Sequence, residues 1–138
     1  MENCIFCKII KGDIPCSKIY EDEHSFAFLD INPASPKGGH TLVLPKKHYE
    51  TISDIPDSEL NDLSKTIKKI SKALLKYAPG MNIIQNNKKI AGQYVNHLHF
   101  HLVPRFENDG IVIEKWSIHK YKDGEMEKVN EKIKKLIE

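Results

Sequence analysis

The chain contains no run of 18 apolar residues, so it offers no segment able to cross a membrane as a helix. The stretch from Met1 to Asp13 carries cysteines and acids, and it lacks a long apolar core and a small-residue cleavage site. No secretory leader is therefore expected. Neither sign of charge dominates: 21 Lys+Arg against 19 Asp+Glu leave +2 with histidine neutral, which makes no broad electrostatic case for nucleic acid or a membrane surface. Cysteine is scarce and odd in number, with three residues of which two lie close together. That pattern reads as thiols or metal ligands in a reducing compartment, with the cytoplasm as the expected location, and not as a disulfide framework. Internal repeats and low-complexity tracts are missing as well. What remains is an ordinary balance of 40% hydrophobic and 29% charged residues over 138 positions, which fits one domain spanning 1–138. A chain of that length buries a real core without needing a metal or a disulfide.

Hydrophobic spacing predicts the elements. Ile5 to Ile10 reads as a short helix closed near Gly12. Lys18 to Glu21, Ser25 to Asp30, His40 to Leu44, Met81 to Gln85 and His97 to Val103 read as strands, the last stopping at Pro104, and Ile111 to Glu114 as a further short one. Leu60, Leu63, Ile67, Ile70 and Leu74 follow at helical spacing and Pro79-Gly80 ends that helix. Met126, Val129, Ile133 and Leu136 or Ile137 mark a second amphipathic helix, expected to pack on its own domain. Segments rich in Asn, Pro and Gly at Asn32 to Gly39 and Asn86 to Lys89 read as a loop and a turn. Strands that neighbour one another in sequence, with helices that do not alternate regularly, imply an α+β fold with an antiparallel sheet.

His97-Leu98-His99-Phe100-His101-Leu102 alternates without a break. On a strand, alternate side chains share a face, so Leu98, Phe100 and Leu102 would enter the core while three imidazoles line the other side, about 7 Å apart. Chance clustering is a poor explanation, because three of the seven histidines fall within five positions. Two chemistries remain open: a metal site, or catalysis by a neutral imidazole nucleophile with a neighbouring imidazole stabilising anionic charge.

The run His97 to Val103 resembles the signature of the histidine triad (HIT) nucleotide hydrolases and transferases. The similarity extends to Cys4-Ile5-Phe6-Cys7-Lys8-Ile9-Ile10, Phe28 to Pro33, His40 to His48 and Ala91-Gly92-Gln93, in the order and spacing of the Hint branch. It covers a core of about 4–105, leaving 106–138 as a C-terminal strand or loop and helix. The resemblance implies a five-stranded antiparallel sheet with two main helices, joined to a second copy as a ten-stranded sheet in a homodimer. It implies hydrolysis or transfer at the α-phosphorus of a purine nucleotide such as AMP or a derivative, a phosphoramidase activity among them, through a covalent nucleotidyl-histidine.

In that scheme His99 is the nucleophile, the carbonyl near His97 fixes its tautomer, His101 bonds the phosphate, and His40 is a fourth active-site histidine. Asp30 would hold the ribose hydroxyls. Ile5, Phe6, Ile9, Ile14, Phe28 and Ile31 would sandwich the base, and Asn86, Gly92 and Gln93 would contact the phosphate and leaving group. Several members of the branch carry a small hydroxyl residue after the Gly-Gln pair. Here Tyr94 stands in its place, and no phosphate role carries over to it. Cys4-x-x-Cys7 alone is half a zinc site. Some relatives complete it with histidines matching His48 and His97, giving a structural zinc that does no chemistry. Cys16 is left without a partner, and His24 and His119 read as surface residues.

Other functions compete with this one. A dinucleoside polyphosphate hydrolase of the Fhit branch is a close alternative, although the Cys4 to Cys7 block favours Hint. A nucleotide-binding adaptor with little turnover has no need of a nucleophile at His99. A metallohydrolase with its metal on all three triad histidines would lose turnover to a chelator.

Overall fold

The computed structural model describes residues 2–113 and 115–138. Five strands run β1 (Lys18–Glu21), β2 (Ser25–Leu29), β3 (Thr41–Pro45), β4 (Gly80–Gln85) and β5 (Phe100–Arg105). They form one antiparallel sheet in the order β1-β2-β3-β5-β4. Helix α1 (Ile5–Lys11) precedes the sheet, α2 (Asp57–Tyr77) connects β3 to β4, and α3 (Glu125–Lys134) lies near the C-terminus. The α+β fold with a five-stranded antiparallel sheet is as expected. Among the described residues no helix is long and apolar enough to cross a membrane.

The sheet is covered on both faces, which explains why β2 and β3 are almost wholly buried. Ala27, Val43, Leu98 and Leu102 pack with Leu63 and Ile70 of α2, while Phe26, Phe28, Leu42 and Leu44 pack with Phe6 and Ile9 of α1. Helix α2 opens with Asp57 and Glu59 in its first turn and closes with Lys76 in its last, each complementing the helix dipole. Helix α1 is capped by Cys4, whose thiol accepts the Cys7 N–H (3.5 Å), and ends on left-handed Gly12.

Several boundaries differ from expectation. The regular β5 ladder begins at Phe100 and not at His97, because the Leu98 N–H donates to the Tyr49 carbonyl (2.6 Å) in place of a strand partner. It continues through Pro104, which pairs with Met81 of β4. Proline is tolerated there because the β3 ladder has already ended at Thr41–Leu102, so one side of β5 needs no donor. Residues Ile111 to Ile113 form no strand, and Glu114 lies outside the described residues. The root of that segment is tied instead to Arg105, whose guanidinium donates to Asp109 (2.9 Å), Asn82 (2.7 Å) and the Ile111 carbonyl (3.0 Å). The amphipathic α3 forms as expected but buries none of its residues, so it does not pack on its own domain as anticipated.

Candidate active site

Register settles which way the histidine segment faces. Leu42 lies opposite His101, and Val43 lies opposite Phe100. Leu42 belongs to the α1 side and Val43 to the α2 side, so His101 faces α1 while Leu98, Phe100 and Leu102 face the α2 core. The alternation seen in the sequence is therefore real. The three imidazoles do not form one row, however. The His99 and His101 ring centres lie 5.0 Å apart, whereas His97 leaves them, and its ring packs edge-on against His48 at 4.9 Å.

His99 and His101 border a cavity of about 460 Å3 between α1 and the sheet. Its apolar walls include Ile5, Phe6, Ile9, Ile14 and Phe28, with Ile31 and Asp30 at the end of β2 and Gly92 on the opposite lip. Ile31 is a rim residue, 89% exposed. One oxygen of Asp30 accepts the Asn32 N–H (2.9 Å), and the other lies 3.9 Å from His40 Nε2. The loop between β2 and β3 is closed by the Asp30 N–H donating to the His40 carbonyl (2.9 Å), which keeps the acid near the histidines.

Hydrogen bonds assign the imidazole tautomers in turn. His99 Nδ1 lies 2.7 Å from the His97 carbonyl, which can only accept, so Nδ1 carries the proton and Nε2 keeps its lone pair. The Ala34 N–H donates to His40 Nδ1 (3.0 Å), so His40 carries its proton on Nε2. That proton faces His101 Nδ1 at 2.9 Å, leaving His101 with a free Nε2–H donor. The protein thus presents one bare nitrogen and one N–H. Burial pushes all three imidazoles below their usual range, with His101 at about 4, so they are neutral near pH 7.

Asn86 and Gln93 do not border the cavity; their side chains brace the loop that forms its lip. Asn86 Nδ2 reaches the Gly92 carbonyl (3.4 Å). Gln93 is fully buried, accepting from the Lys88 N–H (2.7 Å) and donating to the Glu50 carbonyl (2.6 Å). Gly92 has φ +95, a left-handed backbone that glycine adopts without strain, and a Cβ there would meet Asn86 at ordinary contact distance, 3.4 Å. Residue reading missed the Ala34 N–H and the Pro45 carbonyl described next, and on the cavity wall it missed Val95, Leu42 and Cys16. The first two are backbone groups, which carry no residue signature, and the others are apolar or thiol side chains that read as core.

A second cluster lies alongside. One ligand atom each from Cys4, Cys7, His48 and His97 falls within 4.8 Å of the others. The sulfur-to-nitrogen distances are 3.6 Å for Cys4–His97, 3.4 Å for Cys7–His48 and 3.6 Å for Cys7–His97. Tetrahedral zinc bonded to thiolate and imidazole places sulfur and nitrogen about 3.5–3.6 Å apart, so the four residues fit that ion. His97 Nε2–H donates to the Pro45 carbonyl (2.8 Å), which turns Nδ1 toward the sulfurs as a ligand requires. Asp30, His40 and His101 also converge. There both His40 nitrogens are engaged, one by Ala34 and one by His101, so that trio reads as a hydrogen-bonded relay and not as a metal site.

Residues 11–108 match the family model described as HIT domain. An uncharacterised HIT-like protein of Methanocaldococcus jannaschii is 55% identical over 112 residues, covering 80% of this chain and 85% of that protein. A protein named adenosine 5'-monophosphoramidase in Schizosaccharomyces pombe is 47% identical, covering 75% of this chain and 74% of the relative. One named adenylylsulfatase in Arabidopsis thaliana is 41% identical over 78% of this chain and 54% of its own length. Among solved structures, a HIT family protein of Bacillus subtilis superposes with TM-score 0.90 at 40% identity, covering 99% of this chain and 98% of that one. A Zn-bound histidine triad family protein from Mycobacterium smegmatis gives TM-score 0.74 at 37% identity, covering 85% of each chain.

Proposed function

The chain belongs to the HIT domain family, and we propose that it is a nucleoside phosphoramidase or related nucleotidyl hydrolase acting at the α-phosphorus of a purine nucleotide. The observation that carries this reading is the tautomer of His99, whose Nε2 lone pair is bare at the cavity and whose Nδ1–H is anchored on the His97 carbonyl. The names of the Schizosaccharomyces and Arabidopsis relatives support a hydrolase that cleaves a bond to an adenylyl phosphorus.

In this account the base slides between the apolar walls from Ile5, Phe6, Ile9, Ile14, Phe28 and Ile31. The free oxygen of Asp30 takes the ribose hydroxyls. Nε2 of His99 attacks phosphorus, and the bond to the leaving nitrogen breaks with its electron pair going to nitrogen, which collects a proton from water. The adduct ring is cationic, and its Nδ1–H on the His97 carbonyl spreads that charge. Water then displaces Nε2, which recovers its electron pair, and the proton of water passes to solvent. His101 Nε2–H bonds the phosphate oxygen throughout. His40 holds His101 in that tautomer, and Asn86 and Gln93 act as positioning residues through Gly92.

Zinc would be held by Cys4, Cys7, His48 and His97, and when bound it would supply a cross-link between α1 and the histidine segment. His97 joins the two clusters, since its ring faces the sulfurs while its carbonyl anchors the nucleophile. The chain would act as a HIT domain spanning 1–138 and pair as a homodimer. The outer position of β4 in the sheet supports this, because a ten-stranded sheet requires an open edge. The test is hydrolysis of adenosine 5'-phosphoramidate with EDTA present. Wild type should turn over and His99→Ala should not. A folded wild type that binds AMP without turnover would overturn the hydrolase reading in favour of a binding role.

A further inference from the structure

The cysteine–histidine cluster is not sealed inside the protein. Cys7 and His97 are buried, but Cys4 and His48 are only half-buried. Both wall a groove of about 370 Å3 whose other lining residues include the exposed Asn3, Tyr94 and Asn96. A small solute can therefore reach the Cys4 sulfur, and a thiolate is the form of cysteine that reacts with oxidants. The Cys4 and Cys7 sulfurs lie within 4.8 Å of each other, and the Cys7 N–H holds the Cys4 thiol at 3.5 Å. Side-chain rotation can bring the two sulfurs together across the short turn between them. The residues of that turn are Ile5 and Phe6, and both line the active-site cavity. The Phe6 ring lies edge-on to His99 at 5.0 Å and to His97 at 6.1 Å. A change in the Cys4–Cys7 turn therefore moves the wall that touches the nucleophile.

We propose that Cys4 and Cys7 are a modification site for peroxides, a dithiol whose oxidation to a disulfide empties the metal site and loosens nucleotide binding. This rests on the zinc reading above. The Cys4 thiolate, at the groove, attacks a peroxide oxygen; the S–O bond forms as O–O breaks, and hydroxide leaves. The Cys7 thiolate then attacks the Cys4 sulfur, S–S forms, and a second hydroxide leaves. Each hydroxide takes a proton from solvent. Two electrons pass from the sulfurs to the peroxide, and the metal keeps its charge. Only His48 and His97 then remain as ligands, too few to retain zinc. A dithiol reductant reverses the oxidation.

The test treats the zinc-loaded wild-type chain with a small molar excess of hydrogen peroxide. Three things are read: zinc released to a colorimetric chelator, cysteine connectivity by peptide mass mapping, and AMP affinity by calorimetry. Zinc should be released in step with a Cys4–Cys7 disulfide. AMP affinity should weaken about tenfold, the scale of disturbed apolar packing. Dithiothreitol with added zinc should restore all three. Zinc held at full occupancy after peroxide overturns the proposal. So does oxidation mapped to Cys16 with Cys4 and Cys7 still reduced, which would assign the effect to the cavity wall. A Cys4–Cys7 disulfide with AMP affinity unchanged also overturns it, since the turn would not govern the site. A chain that takes up no zinc before oxidation overturns the metal reading, and this inference with it.

Discussion

Replacing Gly39 with alanine should damage both the fold and the site, and the two contributions separate. Gly39 adopts φ +85, and a Cβ built there would lie 2.8 Å from Tyr77 Cε1 and 3.0 Å from Pro104 Cγ. The left-handed backbone alone costs an alanine about 1–2 kcal/mol, and forcing a methyl into packed surroundings adds about 1–3 kcal/mol. The neighbouring Gly38 supplies the control, with φ +76 and nothing within 4 Å of its Cβ. Gly38→Ala should therefore cost only the backbone part, and Gly39→Ala about 2–5 kcal/mol in all. Urea unfolding at constant m-value measures both. In a Tyr77→Ala background the cost of Gly39→Ala should shrink toward that of Gly38→Ala, leaving the Pro104 contact. Because Gly39 directly precedes His40, the shift also disturbs the 2.9 Å bond to His101, and kcat/KM should fall at temperatures where the variant is fully folded. A Gly39→Ala variant no less stable than Gly38→Ala would refute the packing argument.

Asp30→Asn should weaken ribonucleotide binding about 10- to 100-fold, the loss of a charged acceptor worth about 1.5–3 kcal/mol. It should also erase discrimination against 2'-deoxyribose, and unchanged discrimination would move the ribose contact elsewhere. His48→Ala removes the nitrogen 3.4 Å from Cys7 Sγ, so metal analysis should show zinc retained by wild type and lost by the variant, with a lowered Tm. Equal zinc content in the two would remove His48 from the site. In metal-free protein, burial holds His99, His40 and His101 neutral, His101 down to about 4, while unfolded histidine titrates near 6.5. The unfolded chain then binds more protons as pH falls from about 6.5 toward 4, so stability should drop across that window and be level above it. Urea midpoints at pH 7.5 and pH 5 check the sign, and His101→Gln should flatten the slope.

Much of this was legible in the residues. The 3.6-residue period of Leu63 and Ile70 and the two-residue period of Leu98 and Leu102 each mark a buried face, and all four side chains lie in one core. The β2 and β3 strands gave less away, because helices cover both faces there and alternation is lost. Periodicity also overstated His97, which shares the strand pattern but leaves the ladder once Leu98 bonds to Tyr49. Cys4-x-x-Cys7 pointed to half a metal site, and resemblance supplied the other half, since His48 and His97 lie 41 and 90 residues from Cys7 in sequence. Gln93 shows the limit of motif reading: its position beside Gly92 suggests a ligand contact, yet both ends of its amide are spent on Lys88 and Glu50. Helix α3 carries a clear apolar stripe that its own domain leaves exposed, a fact no periodicity reveals.

The most direct test of His99 as a covalent nucleophile is the stereochemical course at phosphorus. An adenosine 5'-phosphorothioamidate of known configuration would be hydrolysed in isotopically labelled water. Two successive in-line displacements, first by His99 Nε2 and then by water, predict overall retention. Inversion would mean that water attacks directly, and it would contradict the role assigned to His99.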